Sequence, residues 1–195
     1  MKQRRTVFQV DFFFLAAAAL ILADLSPLRG LLMLMPALLH EGGHLLMLAV
    51  CGGRPSAIRL QLFGVGVEGG REQLTRRQEL LVLAAGPLVN LFCAGFFAFP
   101  APRFSPEMTE LLCLPHLALG LWNLMPVPPA DGGRILVLLL TPYLSPRALR
   151  LTVKITAVCF LLPVTLPVLR ALFHGSRPLT ALFCLIYLWL CLFRW

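Results

Sequence analysis

Charge is what this sequence has least of. Only 13% of its 195 residues are Asp, Glu, Lys or Arg, nine acids against 17 bases, while 58% are hydrophobic. Soluble domains carry about a quarter charged residues, so this chain lacks the polar side chains to clothe a water-facing surface. Cysteine occurs six times (Cys51, Cys93, Cys113, Cys159, Cys184, Cys191), always in or beside an apolar segment and never as a CxxC pair. That speaks against a disulfide framework or a thiolate zinc cluster and leaves the thiols as small buried hydrophobes. No internal repeat, low-complexity tail or appended soluble domain is visible. The net charge of +8 comes from bases that bracket apolar segments, which reads as membrane topology, so no nucleic-acid partner is expected.

What the chain has in quantity is apolar runs of 18 or more residues, the mark of a membrane-spanning helix. The fold expected is an all-α polytopic membrane protein with about six spans, near residues 7–25, 30–51, 79–100, 109–141, 152–173 and 178–194. The fourth is long and broken. MKQRRTVFQVDFFFLAAAALILADL has the basic start of a signal peptide. Its apolar run is too long and no small-residue cleavage site follows, so it is kept as the first span. The domains expected are 1–29 as first transmembrane segment, 30–141 as a three-span core and 142–195 as two C-terminal helices, with no PDZ or CBS domain. With the N-terminus in the cytoplasm, the inside segments hold Lys2, Arg4, Arg5, Arg54, Arg59, Arg71, Arg76, Arg77, Arg147, Arg150, Lys154 and Arg194. Arg29, Arg103, Arg170 and Arg177 fall outside, a bias that puts both termini in the cytoplasm.

The one sizeable polar stretch separates the second and third spans. Its front half alternates, Ile58-Arg59-Leu60-Gln61-Leu62, as a half-buried strand does. It continues into Phe63-Gly64-Val65-Gly66-Val67, where glycines thin one face. Such a strand either receives another extended chain along its edge or forms an ordinary hairpin on the membrane surface.

In the second span, LMPALLHEGGHLLMLAV places two histidines and a glutamate inside an apolar run. Intramembrane ionisable groups are rare and default to function. His40-Glu41-Gly42-Gly43-His44 fits HExxH: residues i and i+4 share a helix face, so both imidazoles reach one ion, with Glu41 beside them as general base. A catalytic zinc takes three protein ligands and keeps one position open. Candidates for the third are Asp11, Asp24, His116 and Asp131. Asp131 follows a stretch where Pro126, Pro128 and Pro129 forbid a continuous helix. Unwound backbone at bilayer depth belongs beside a cavity or buried in protein. Asp131 is then either an oxygen ligand or the cap of the helix resuming at Gly132, and its pairing with HExxH favours the ligand. His116 is read as a packing or polar-contact residue. Gly42 and Gly43 are read as a bare patch admitting the broken helix or a substrate strand.

These motifs together resemble the site-2 protease family of intramembrane zinc metalloproteases. The second family motif, N-x-x-P-x-x-x-x-D-G, is met by Asn123-Leu-Met-Pro126-Val-Pro128-Pro129-Ala-Asp131-Gly132, and the A-G-P-x-x-N segment by Ala85-Gly86-Pro87-Leu-Val-Asn90. The resemblance covers residues 30–141. It implies one zinc held by His40, His44 and Asp131, with Glu41 as catalytic base. Asn123 is then set to hold substrate or the developing oxyanion. Phe63, Gly64, Val65 and Gly66, together with Asn90, are implied to meet an extended membrane-associated substrate. Ala130 stands where many relatives have Leu, with no loss of activity expected. The six-span layout is similar to the bacterial sporulation branch, which implies a bacterial cell-membrane location. It also implies a sigma-factor precursor or anti-sigma factor as substrate and a membrane-protein inhibitor or regulator as partner. A zinc or small-solute transporter and an inactive pseudoprotease scaffold are the other classes to set against this reading.

Overall fold

The computed structural model describes residues 7–10, 27–53, 57–61, 64–68, 74–99, 105–174 and 179–194. In chain order the elements are β1 (Val7–Val10), α1 (Pro27–Val50), β2 (Ala57–Gln61), β3 (Gly64–Glu68), α2 (Arg76–Ala98) and α3 (Pro106–Leu124). They are followed by α4 (Asp131–Leu140), α5 (Pro146–Phe173) and α6 (Leu179–Arg194). The chain divides into two compact units, residues 1–121 and 122–195.

In the first unit, β2 and β3 pair antiparallel, with Arg59 opposite Gly66 and Leu60 opposite Val65. The other edge of β2 takes β1 in parallel, so the sheet order is β1-β2-β3. This corrects one expectation, since Val7–Val10 opens a strand where the sequence reading began a transmembrane helix. Val-Phe-Gln-Val is a β-favouring run, and β2 offers it a ladder. The rest of 7–25 lies outside the described residues. Beside the sheet, α1 and α2 run antiparallel: Cys51 meets Gln78, His44 meets Val82 and Gly86, and His40 meets Asn90. Thr75 starts α2 with a capping box: its hydroxyl accepts from the Gln78 N–H, and the Gln78 side chain accepts from the Thr75 N–H. The Gln78 amide also donates to the Cys51 carbonyl, tying down the end of α1.

The two faces of α2 show what surrounds it. Small and polar residues, including Ala85, Gly86, Asn90 and Ala94, are buried, while Leu81, Leu88, Phe92 and Phe96 are exposed. A soluble helix buries its bulk; close helix contact through small residues with bulk turned outward is the pattern of helices in lipid. Arg76–Ala98 and Pro146–Leu172 are long and apolar enough to cross a bilayer. The chain is a membrane protein.

In the second unit, residues 125–130 interrupt the helical path between α3 and α4, and short turns replace the ladder. The Val127 N–H donates to the Met125 carbonyl and the Ala130 N–H to the Val127 carbonyl. A side chain at Gly132 would strike the Leu124 carbonyl oxygen, so only glycine lets α4 start so close to the break. Val127, Ala157, Leu161, Leu185, Leu188 and Leu192 form the core here. The Trp189 indole N–H donates to the Thr165 hydroxyl, joining α5 and α6.

Candidate metal centre

His40 and His44 lie one turn apart on α1, and both are buried. Their rings meet edge to face, centroids 4.8 Å apart, with the two Nε2 atoms separated by 3.2 Å. Nδ1 of His44 lies 2.6 Å from the Val82 carbonyl oxygen. A carbonyl only accepts, so His44 carries its proton on Nδ1 and turns the Nε2 lone pair toward His40. Two Zn–N bonds of about 2.0–2.1 Å in a tetrahedral site separate the nitrogens by roughly 3.3–3.4 Å. The observed spacing therefore fits a shared zinc ion.

Ala85, Gly86 and Asn90 of the Ala85–Asn90 motif pack against the helix segment that carries this pair. A Cβ at Gly86 would enter the His44 ring, so glycine makes room for the imidazole. Pro87 removes a donor from the helical ladder one turn after Leu83. A Cβ at Gly43 would lie 2.9 Å from the Ala85 carbonyl oxygen, so the two helices touch there through backbone. Gly42 is exposed and a Cβ there would meet nothing within 4 Å. Gly43 thus serves α2 packing, where the sequence reading gave both glycines to the broken helix or a substrate strand.

Asn90 is fully buried. Its amide lies 3.2 Å from Nδ1 of His40 and its oxygen 3.0 Å from Nδ1 of His116, which is also fully buried. The sequence reading gave Asn90 to substrate; both ends of its amide are engaged with histidines instead. His116, read as a packing or polar-contact residue, belongs to this network. The contributions of Gly86 and of the Val82 carbonyl were missed. The i, i+4 spacing of Gly86 and Asn90, matching that of His40 and His44 on an antiparallel neighbour, is the signal that could have revealed the first.

Asp131 is the first residue of α4 and is buried. The cap position belongs to Ala130, which makes no side-chain cap bond, so Asp131 is not the helix cap that the sequence left open as its role. His40, His44 and Asp131 are each buried, and each offers one atom able to ligate a metal. Two imidazoles and a carboxylate form a donor set suited to zinc with a fourth position left open. Glu41 is half-buried on α1, and Asn123 is half-buried in the last turn of α3. Gly64, Val65 and Gly66 lie in β3, which lies against α1. Phe63, Asp11 and Asp24 lie outside the described residues.

The family model described as Peptidase M50B-like matches residues 13–125. The chain belongs to that family. Among its relatives, Stage IV sporulation protein FB of Bacillus subtilis is 31% identical over 154 residues, 76% of this chain and 52% of its own length. A Synechocystis protein named as a zinc metalloprotease is 33% identical over 117 residues, 57% of this chain and 31% of its own. The chain thus spans about half the length of the first M50B relative and less than a third of the second. The Site-2 Protease from Methanocaldococcus jannaschii shares the fold with a TM-score of 0.65 at 20% identity, over 100% of this chain and 92% of that one.

Proposed function

We propose that this M50B member is an intramembrane zinc metalloprotease that cleaves a peptide bond of a membrane-associated substrate near the cytoplasmic side. The reading is carried by the buried His40–His44 pair, whose Nε2 atoms converge at 3.2 Å, with Glu41 next to His40 in the chain. Glu41 has no obvious role in a transporter, whereas hydrolysis needs a base in that position.

His40, His44 and Asp131 are the ligands. A zinc ion held by them supplies a Lewis acid and makes water acidic near neutral pH. Glu41 accepts the proton of the attacking water and returns it to the departing amine. Asn123 directs its amide N–H to the substrate carbonyl oxygen as negative charge develops there. A helical substrate hides its carbonyls in backbone hydrogen bonds, so the target must unwind first. The β3 edge at 64–66, next to α1, offers replacement bonds to an extended segment, and Phe63, which precedes it in the chain, is assigned to the same substrate contact.

The topology that goes with this reading is six spans with both termini cytoplasmic in a bacterial cell membrane. α1 then runs inward, and His40 lies thirteen residues past Pro27, about 20 Å along at 1.5 Å per residue. That depth is in the cytoplasmic half of a core about 30 Å thick, and the product leaves on that side. The match to a sporulation protein supports a sigma-factor precursor, or else an anti-sigma factor, as substrate. A membrane protein as regulator belongs to the same reading, on the resemblance of the motifs to the sporulation branch.

The test is cleavage of a membrane-tethered sigma-factor precursor by the purified full chain in vesicles, beside Glu41→Gln. The expected result is one zinc per chain in both and cleavage only in the unsubstituted protein. Undiminished cleavage by Glu41→Gln would overturn the mechanism, and metal flux across the vesicles would mark a transporter.

A further inference from the structure

One histidine of the first unit has no place in the reaction above. His116 sits on α3, fully buried, with Nδ1 3.0 Å from the Asn90 side chain and Nε2 without a hydrogen-bond partner among the described residues. Asn90 in turn reaches Nδ1 of His40 at 3.2 Å. The three side chains therefore form one line, His116–Asn90–His40, ending at a proposed zinc ligand.

Such a line can run in two senses, because an amide donates from one end and accepts at the other while each neutral imidazole does the same. In one sense Asn90 donates to His40 Nδ1, and His40 must then carry its hydrogen on Nε2. That nitrogen has no lone pair left for a metal. In the other sense the Asn90 oxygen accepts from His40 Nδ1–H, which leaves the Nε2 lone pair for zinc. The amide NH2 then points at His116, whose Nδ1 must accept. Nitrogen and oxygen of an amide are assigned from the network around them, so the two senses share one set of heavy-atom positions. His116 Nε2 lacks a described partner in both, so the choice rests on the Nδ1 side.

We infer that Asn90 and His116 are positioning residues for the metal centre. Asn90 fixes the zinc-binding tautomer of His40, and His116 holds the Asn90 amide in the sense that allows it. This rests on the zinc reading of His40 and deepens it, since partners behind a ligand imidazole set its orientation and tautomer. The hydrogen bond from His44 to the Val82 carbonyl does the same for the second ligand with a group that cannot reverse. The first ligand depends on a side chain that can.

The experiment measures zinc affinity of the full chain in detergent by competition with a chelator, for the unsubstituted protein, His116→Phe, Asn90→Asp and the double substitution. His116→Phe removes the acceptor and should weaken zinc by about 10- to 100-fold, the usual effect of losing such a partner. A carboxylate accepts from His40 Nδ1–H whichever way it turns, so with Asn90→Asp the further change at His116 should alter affinity less than threefold. A merely structural histidine would weaken zinc equally in both backgrounds, and that equality would overturn the inference. Independently, 15N-labelled histidine in the zinc-loaded, unsubstituted chain should show His116 protonated on Nε2 and bare on Nδ1. A proton on Nδ1 would overturn it. Failure of the unsubstituted chain to bind zinc would sink the metal-centre reading itself. Zinc bound with unchanged affinity in His116→Phe would sink only the relay.

Discussion

Adding one methyl group at Gly86 places a carbon inside the imidazole of His44. Gly86→Ala should therefore swing His44 away from its 2.6 Å bond to the Val82 carbonyl and lower zinc affinity at least about tenfold, as the loss of a ligand's orienting partner does. Gly42→Ala is the matching control. It stands within HExxH itself but faces open space, so it should leave zinc binding unchanged and stabilise the helix by about 1 kcal/mol. Chelator competition on both variants checks the pair. Equal zinc affinity in Gly86→Ala and the unsubstituted chain would mean that His44 is not a ligand. The contrast also marks a limit of reading residues in order. HExxH names the donors through a spacing local to one helix, whereas the reason for Gly86 lies 42 positions away on a neighbour that only folding brings close.

Helices and turns set these donors in place, and their ends can be tested separately from the chemistry. Thr75→Ala removes the capping box of α2 and should lower stability by about 1 kcal/mol, within the 0.5–2 range for such caps. It should leave cleavage intact at low temperature, which a thermal melt beside an activity assay would show. Gly132→Ala drives a methyl into the Leu124 carbonyl oxygen, so α4 must shift with Asp131 on its first turn. Zinc affinity should fall while helical content stays the same by circular dichroism. On the sheet, Gly64 and Gly66 lie two apart on β3 and share one face. Valine at both should raise KM for a membrane substrate and change kcat little; a loss confined to kcat would rule out strand docking there. The helical stretches were legible from apolar runs, and the break at 125–130 from its prolines. β1 was not, because a four-residue stretch with three β-favouring residues ahead of a long apolar run looks like the start of a helix until β2 supplies a partner.

For the chain as a body, two consequences follow. The exposed Leu and Phe face of α2 has no counterpart in water, so the protein should stay with the membrane pellet after an alkaline carbonate wash and enter solution only with detergent. Removing metal with a chelator should abolish cleavage, and stoichiometric zinc should restore it. Recovery with calcium instead would contradict a site of two imidazoles and one carboxylate, because calcium selects oxygen donors.

Some of this was decided by local order in the chain. Scarcity of charge and long apolar runs require a membrane, and HExxH with a proline-broken Asp segment names the donor atoms, because helical periodicity and proline chemistry act within a few residues. Folding decided what stands behind those atoms. It placed Gly86 and the Val82 carbonyl against His44, and it moved Asn90 from a presumed substrate contact to the amide between His40 and His116. It also turned Val7–Val10 into a strand. Each of these depends on partners distant in sequence, and hydrogen-bond direction and steric room exist only once two elements touch.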